Sequence, residues 1–249
     1  MSRVVPKLAG RLGNHMFMVA NAYRIAATKK LPLVLSYSYF KDKEFYIDSI
    51  FRKLSFTYEV PPSDITPAGY YQSLNYFKDF ETEIRELYTP DDIFYKDVLP
   101  LYNHIDFNDT CCVAVRRGDY LHLSDYHPVV SEQYLRKCME LSKMKNFLFF
   151  SDDNEWCKKT FKGDNIYYCD DIPHVVRTMW LMSHCKEHII SNSSYSWWGA
   201  FLSKTPKGTV YAPSTWYGPR ANKSTWAEIY VPHWNVIDTI YKDGQIIPV

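Results

Sequence analysis

The chain has few cysteines, and they do not form the patterns that bind metal or build a disulfide framework. Six cysteines occur among 249 residues, and none of them belongs to a Cys-x-x-Cys pair. The adjacent Cys111 and Cys112 lie in an apolar segment, where neighbouring side chains of a strand point to opposite faces. The spacing therefore indicates buried, reduced thiols rather than a zinc site or a set of disulfides.

The sequence also lacks an excess of charge and a long apolar run. Its 29 basic and 28 acidic residues leave a formal net charge of +1, so the overall charge does not favour binding to nucleic acid. We find no signal peptide and no apolar segment long enough to cross a bilayer. Together with reduced cysteines, these absences predict a cytoplasmic protein that has no membrane span and no nucleic-acid partner.

Alternating apolar and amphipathic segments predict an α/β fold. Short apolar runs followed by amphipathic stretches recur from residue 111 to residue 212. Repeated β–α units of this kind form a parallel sheet with helices on both faces. A strand over Val4–Leu8 and a helix over His15–Lys29 open the chain, whereas residues 41–101 are less regular. We expect two α/β regions, joined near residues 103–108, with a cleft between them.

The most informative segment is an apolar strand that ends abruptly in charged residues. Val113–Val115 is followed by Arg116, Arg117, Gly118 and Asp119. Two guanidinium groups at the end of an inner strand are costly to bury unless an anion meets them. The carboxyl edge of an open α/β sheet is also where ligands bind. We expect a phosphate or diphosphate there, because arginine can hold it through two parallel hydrogen bonds. An ion pair with Asp119 is the structural alternative.

Three further strand-to-helix junctions place polar groups at the same predicted edge. The first is a glycine-containing turn, whose backbone amides can approach an anion at a helix N-terminus. The second has carboxylates suited to ribose hydroxyls or a guanine edge, and the third has an asparagine and serines suited to phosphate oxygens. The residues concerned are Gly10, Arg11, Gly13 and Asn14; Asp152 and Asp153; and Asn192, Ser193, Ser194 and Ser196. Helix capping explains each junction singly, but all four together indicate a ligand.

These segments resemble the ordered motifs of the α-1,2-fucosyltransferase family, which is glycosyltransferase family 11. The matching stretches are residues 10–17 (GRLGNHMF), 116–120 (RRGDY), 150–153 (FSDD) and 190–200 (ISNSSYSWWGA), and the similarity covers nearly the whole chain. The resemblance implies a GT-B-like fold, with two Rossmann-like parallel-sheet domains facing across a cleft. Residues 1–105 are then the acceptor-side domain, and residues 106–249 bind the nucleotide sugar.

The resemblance also implies an activity. Family members transfer L-fucose from GDP-β-L-fucose to an oligosaccharide acceptor with inversion and without a metal, and we expect the acceptor hydroxyl to be galactoside O-2. No metal or other cofactor is therefore expected, and the Asp-x-Asp pair that holds a metal in many such transferases is absent from the sequence. The family comparison places an arginine on the donor diphosphate, and we assign that role to Arg116. A free-standing catalytic domain without an anchor is typical of a bacterial or viral enzyme.

The chemistry requires two kinds of group. Cleavage of the sugar–diphosphate bond develops negative charge on the leaving phosphate, which preorganised donors such as Arg116 and helix amides stabilise. An inverting displacement also needs a base that takes the proton of the acceptor hydroxyl. The candidate bases are Asp119 and His127, with Glu132 further along the chain. A structural ion pair between Asp119 and an arginine remains an alternative.

Two positions depart from the family pattern. Ala114 stands where the family has a histidine before the first arginine, and His15 stands where it has a glutamine. Loss of the histidine removes a polar contact near the nucleotide. Two alternatives therefore remain: a transferase that uses another GDP-sugar, and an inactive protein that binds a glycan or nucleotide on the same scaffold.

Two other features admit a second interpretation. The triplet Arg117-Gly118-Asp119 matches a cell-attachment sequence, but a buried sheet edge argues against an adhesion module. Trp197 and Trp198 can form a platform for a sugar, although large aromatic residues in a helix against a sheet are more often part of the core. The oligomeric state is not predicted.

Overall fold

The computed structural model describes residues 2–91, 94–170, 172, 174–205, 207–221 and 228–249. The chain divides into two compact units, Met1–Phe94 and Tyr95–Val249. This division precedes the boundary between residues 105 and 106 that the sequence suggests. The assignment of an acceptor role to one domain and a donor role to the other stays a prediction.

The described residues of the N-terminal unit form three α-helices and a pair of short parallel strands. They are α1 (Leu12–Lys29), β1 (Val34–Ser36), α2 (Phe45–Asp48), β2 (Ser55–Thr57) and α3 (Glu81–Tyr88). The predicted strand over Val4–Leu8 is wrong as a continuous element, because only isolated bridges form at Val4 and Lys7. Pro6 lies between them and has no amide hydrogen to donate, so the ladder is interrupted there.

The C-terminal unit contains the succession of strands and helices predicted over residues 111–212, together with strands that were not predicted. Its elements are β3 (Thr110–Val115), β4 (Val129–Val130), α4 (Glu132–Leu141), β5 (Asn146–Ser151), α5 (Asn154–Thr160), β6 (Ile166–Tyr168), α6 (Val175–Met182), β7 (Glu187–Ile190), α7 (Ser194–Phe201), β8 (Val210–Pro213), β9 (Asn235–Ile237), β10 (Thr239–Lys242) and β11 (Gln245–Pro248). Six strands form one sheet in the order β6-β5-β3-β7-β8-β9, and all its pairings are parallel.

The remaining strands form a small sheet that the sequence did not indicate. β11 pairs antiparallel with β10 and parallel with β4, so the C-terminal hairpin is joined to the segment before α4. The amide of Val129 donates to Gly244, and that of Ser131 donates to Ile246. This sheet therefore fixes the segment that leads from the end of β3 to α4.

β3 lies at the centre of the large sheet because all of its side chains are apolar or small. Every residue of β3 is buried, as expected for an inner strand of a parallel sheet with helices on both faces. Tyr134 of α4 packs against this core, and its hydroxyl donates to the carbonyls of Ile190 and Tyr211 at 3.0 and 3.3 Å. This side chain ties α4 to β7 and β8.

The burial of the tryptophan side chains in α7 and of the cysteine thiols indicates their roles. Trp197 and Trp198 are fully buried, and the Trp197 indole donates to the carbonyl of Ile229 at 2.7 Å, so both belong to the core. All six cysteines are free and buried, and burial raises the pKa of the Cys111 and Cys112 thiols. In the part of the chain that is described, no helix is both long and apolar enough to cross a membrane.

Candidate active site

The order of strands in the large sheet marks a place where ligands bind. Successive strands lead outward from β3 in one direction through β5 and β6, and in the other direction through β7, β8 and β9. The topology therefore reverses between β3 and β7. In open α/β sheets, the crevice outside the carboxyl ends of the strands at such a switch point holds the ligand. Arg116 directly follows β3, and Asn192 is the second residue after β7.

Arg116 is held by two carboxylates and an aromatic ring. Its Nη2 pairs with Asp119, and its Nη1 lies 2.6 Å from Oδ2 of Asp152. The guanidinium carbon lies 5.2 Å from the ring centroid of Tyr120, within the range of a cation–π interaction. The side chain keeps 21% of its surface exposed. Because a guanidinium has five N–H donors, these contacts leave it able to bind a further acceptor.

Arg117 faces a different set of partners. Its Nε lies 3.0 Å from Oδ2 of Asp153, and its guanidinium carbon lies 3.9 Å from the centre of the Trp156 ring. Asp153 also caps α5 by accepting from the amide of Trp156 at 3.2 Å. Arg117 therefore joins the end of β3 to the start of α5.

Asp152 connects the two arginines and packs against a glycine. Its Oδ1 accepts from the backbone amide of Arg117 at 2.8 Å, while Oδ2 pairs with Arg116. A Cβ atom built on Gly118 would overlap Oδ2 and would lie 3.1 Å from the Asp152 Cγ. Glycine is therefore required at position 118 for the carboxylate to lie where it does.

The asparagine and serines after β7 are largely committed to holding the chain. The Nδ2 of buried Asn192 donates to the carbonyls of Pro128 and Trp216 at 3.0 and 2.8 Å. Nothing in the described residues donates to its Oδ1 atom. Ser193 caps α7 by accepting from the Tyr195 amide at 3.3 Å. Donor contacts by these two residues stay a prediction.

Two more serines lie in the first turn of α7. The hydroxyl of Ser196 is buried. It lies 3.0 Å from the carbonyl oxygens of both Ser191 and Ser193, to which it can donate its hydrogen bond. Ser194 is the first residue of α7 and is partly exposed. The amide of Ser194 can therefore meet an anion more readily than the Ser196 side chain can. Donor binding by either serine is likewise a prediction.

His127 lies within the electrostatic influence of both Asp119 and Arg116. The imidazole stacks on Tyr120, with ring centroids 4.6 Å apart and an interplanar angle of 12°, and it also contacts Tyr126 and Tyr217. Burial lowers the pKa of His127; the Asp119 charge opposes this effect and the Arg116 charge adds to it. The ring is therefore neutral at pH 7 and able to accept a proton.

The glycine-containing turn lies in the N-terminal unit, at the start of α1. Gly10 has φ +81°, and a Cβ atom there would overlap the side-chain amide nitrogen of Asn14, so the turn requires glycine. Arg11 is exposed and extended, and Gly13 is buried in the first turn of α1. The Oδ1 of Asn14 accepts from Nε2 of Gln72 at 2.7 Å. The positive end of an 18-residue helix at this turn favours an anion, and donor binding by the four residues stays a prediction.

His15, the second departure from the family pattern, is buried beside this turn. Its ring makes edge contacts with Phe40 and Tyr46 at centroid distances of 6.0 and 6.2 Å. Burial lowers the pKa of His15 to about 4, and the positive charge of Lys43 adds to this effect. A backbone hydrogen bond with Gly10 raises the pKa by a smaller amount. His15 is therefore a neutral part of the packing around the turn.

The sequence did not reveal the aromatic partners of the charged residues. Trp156 contacts Arg117 and Tyr217 contacts His127 over sequence separations that no local motif encodes, whereas Tyr120 lies four residues after Arg116, whose guanidinium it contacts. The Tyr120 hydroxyl also lies 3.5 Å from the carbonyl of Asn192, which links the segments after β3 and β7. Among the residues whose positions are described, no group of three or more His, Cys, Asp or Glu side chains is placed to hold a metal ion.

Comparison with known proteins identifies the family to which the chain is similar. The model of glycosyl transferase family 11 matches residues 40–238. An α-1,2-colitosyltransferase of Escherichia coli is 31% identical over an alignment that covers 87% of this chain and 93% of that protein. The O-antigen biosynthesis glycosyltransferase WbnK of Escherichia coli is 28% identical, with coverage of 87% and 95%.

Comparison with solved structures identifies the fold. The crystal structure of the α-1,6-fucosyltransferase NodZ soaked with GDP-fucose superposes with a TM-score of 0.54 at 14% identity, covering 82% of this chain and 93% of that one. NodZ from Bradyrhizobium gives the same TM-score at 15% identity. This likeness confirms the GT-B-like α/β fold. By its sequence match, the chain belongs to glycosyl transferase family 11.

Proposed function

We propose that the protein transfers L-fucose from GDP-β-L-fucose to a hydroxyl group of a glycan, with inversion and without a metal ion. The observation that carries this proposal is the position of Arg116, a partly exposed guanidinium directly after β3 at the switch point of the sheet. A nucleoside diphosphate is the ligand that suits such a cation at such an edge. Membership of family 11 and the GDP-fucose named for the NodZ crystal agree with this choice.

Binding of the diphosphate has to change the ion pairs of Arg116. Asp119, Asp152 and Asp153 outnumber the two arginines with which they pair, so the cluster offers no excess of positive charge. Asp119 is the most exposed of the three carboxylates, at 42% against 27% for Asp152 and 28% for Asp153. We infer that the β-phosphate takes the place of Asp119 on Arg116, while Asp152 keeps the guanidinium in position.

The transfer step then needs one proton acceptor. The bond between fucose C1 and the β-phosphate oxygen breaks, and its electrons leave with GDP. The acceptor oxygen forms the new bond to C1 from the opposite face, which converts the β-linked donor into an α-linked product. We assign His127 as the base that takes the acceptor proton, because its ring is neutral at pH 7. Asp119 remains the second candidate, since an exchange at Arg116 frees its carboxylate.

The remaining predicted donor-binding residues support the leaving group in this proposal. The amide of Ser194 belongs to the first turn of α7, whereas Gly10 and Arg11 precede α1 and Gly13 and Asn14 lie in its first turn. Both turns offer backbone N–H groups to an anion. Hydrogen bonds of this kind are typically worth on the order of 10²–10³ in rate at a developing oxyanion.

We propose galactoside O-2 as the acceptor position and keep colitose as a second donor sugar. The relative with 31% identity is by name an α-1,2-transferase, which agrees with O-2, but it transfers colitose. Colitose is L-fucose without the 3-hydroxyl group. A site that distinguishes the two sugars therefore needs a polar contact to that one hydroxyl group. Ala114, in place of the family histidine, removes a side chain that can provide such a contact.

The test is a transfer assay with both donors. Purified protein is incubated with GDP-fucose or GDP-colitose and a panel of terminal galactosides, with and without EDTA, and GDP release and product linkage are measured. Release from GDP-fucose that needs an acceptor, ignores EDTA and gives an α-1,2 product supports the proposal. Preference for GDP-colitose establishes the second donor. Binding of GDP without any turnover identifies an inactive binding protein.

A further inference from the structure

A loop of the N-terminal unit presents tyrosine side chains to solvent. The 68–77 loop has the sequence AGYYQSLNYF and lies between the bridge at Ala68 and the buried Phe77. Tyr70 is 51% exposed and Tyr76 is 39% exposed, although large aromatic side chains usually avoid such exposure. Closely spaced, exposed aromatic rings on a monomer commonly mark a binding surface.

The loop is held in one shape by its own contacts. Tyr71 has φ +49°, which is costly for a bulky residue and persists only where the surroundings enforce it. Its hydroxyl donates to the carbonyl of Ala68 at 2.8 Å, and its ring meets that of Tyr76 edge-on at a centroid distance of 5.1 Å. The buried Ser73 accepts from the amide of Asn75 at 3.1 Å. The rings are therefore presented by an ordered loop.

The same loop is joined to the turn at the start of α1. The Nε2 of Gln72 donates to Oδ1 of Asn14 at 2.7 Å, and Asn14 in turn fills the space above Gly10. This hydrogen bond therefore ties the 68–77 loop to the turn that is predicted to bind the donor. A ligand on the 68–77 loop would lie next to that turn.

We propose that the 68–77 loop binds the sugar rings of the glycan acceptor, a galactose-terminated oligosaccharide. Tyr70 and Tyr76 offer flat, amphipathic faces against which the C–H face of a sugar packs, while amide and hydroxyl groups of the loop meet its hydroxyls. A preformed loop reduces the entropy lost on binding, which suits a flexible glycan. This assignment rests on the proposed function, because that function supplies the glycan.

The test compares matched tyrosine variants. Tyr70→Ala, Tyr76→Ala and the double variant are assayed beside Tyr58→Ala, which removes an exposed tyrosine of the same unit that stacks on Tyr37. We expect the double variant to raise the KM for the acceptor at least tenfold and the KM for the donor less than twofold, whereas Tyr58→Ala changes neither by more than twofold. Unchanged melting temperatures establish that the variants are folded. An acceptor KM within twofold of wild type in the double variant overturns the proposal.

A binding measurement separates this inference from the proposed function. The Kd of the most tightly bound galactoside of the panel is measured by titration in the presence of GDP, which requires no turnover. If the wild type transfers no sugar but the double variant weakens glycan binding tenfold, the proposed function fails and the loop assignment stands. If the double variant binds the glycan as the wild type does, or only changes self-association in the ultracentrifuge, the loop assignment fails.

Discussion

The Asp152 carboxylate occupies the space that a side chain at Gly118 would need. In this position it pairs with the Arg116 guanidinium at 2.6 Å and accepts a hydrogen bond from the backbone amide of Arg117 at 2.8 Å. The glycine of the Arg-Arg-Gly-Asp segment is thus explained by a neighbouring carboxylate rather than by a left-handed backbone. Positioning of Arg116 depends on this contact.

Gly118→Ala should therefore impair catalysis more than stability. The added methyl group displaces the Asp152 carboxylate, a flexible side chain, so we expect the melting temperature to change little. Misplacement of Arg116 should lower kcat/KM for transfer by about tenfold to a hundredfold, as small displacements of catalytic groups do. Kinetics of the single variants and of Gly118→Ala/Asp152→Ala test the mechanism. If the two substitutions act through one contact, the double variant is no slower than Asp152→Ala; strictly additive losses would contradict this.

Asn192→Ala should mainly lower stability. Two buried carbonyls, those of Pro128 and Trp216, lose their donor, and we expect the free energy of unfolding to fall by about 2–4 kcal/mol. Urea denaturation measures this change. The matched control is Asn235→Ala, which removes an exposed side chain with one 3.4 Å bond and should cost less than about 1 kcal/mol. Full stability with a raised donor KM would instead assign Asn192 to the donor site.

His15→Gln should make the protein less sensitive to acid. The folded-state pKa of His15 is about 4, below the ordinary value near 6.5, so only the unfolded chain takes up this proton as the pH falls between them. The stability due to neutral His15 is complete above pH 6.5 and decreases towards pH 4, by on the order of 3 kcal/mol. Glutamine does not titrate, so urea denaturation at pH 7 and pH 5 should show a smaller loss in the variant.

Part of the acid sensitivity should remain in that variant. Burial lowers the pKa of His188 to about 4 as well, and its Nε2 is bonded to the carbonyl of Met182 at 2.9 Å. A loss of stability between pH 7 and pH 5 that is the same in His15→Gln and in the wild type would show that His15 does not contribute.

His127→Gln should remove the acid limb of the pH–rate profile. Because the pKa of His127 is lowered, the wild-type kcat should stay level near pH 7 and fall only at a pH below the ordinary histidine value. Loss of the base should reduce kcat by about 10²–10⁴-fold, and the remaining rate should no longer follow this titration. The exposed His122 provides the control variant, His122→Gln. Retention of the acid limb in His127→Gln would transfer the role of base to Asp119.

The sequence was sufficient for the parts of the fold that local pattern determines. Apolar runs that end in charged or polar residues predicted β3, β5 and β7, and the buried tryptophans of α7 followed from ordinary burial tendencies. The strand at the N-terminus failed because Pro6 interrupts its pairing. The small sheet of β4, β10 and β11 could not be anticipated, because its strands are short and lie far apart in the chain.

The site was predictable in its residue types but not in its partners. The ion pair of Arg116 with Asp119 spans three residues and was foreseen as an alternative. Its second pair, with Asp152, joins the ends of two neighbouring strands and needs the strand order. The stacking of His127 on Tyr120 depends on the path of the chain after β3, which no motif records. Tertiary contacts therefore determine which charged groups are paired.

The most direct test of the central claim is the rate of sugar transfer by Arg116→Ala. Arg136→Ala, which removes an exposed arginine paired with Glu132, is the control for loss of a surface charge, and melting temperature and circular dichroism report folding. Arg116 is proposed to hold the leaving diphosphate, so we expect kcat/KM to fall by about 10²–10³-fold in a folded variant, with Arg136→Ala near wild type. A folded Arg116→Ala protein that transfers sugar at close to the wild-type rate would contradict the account.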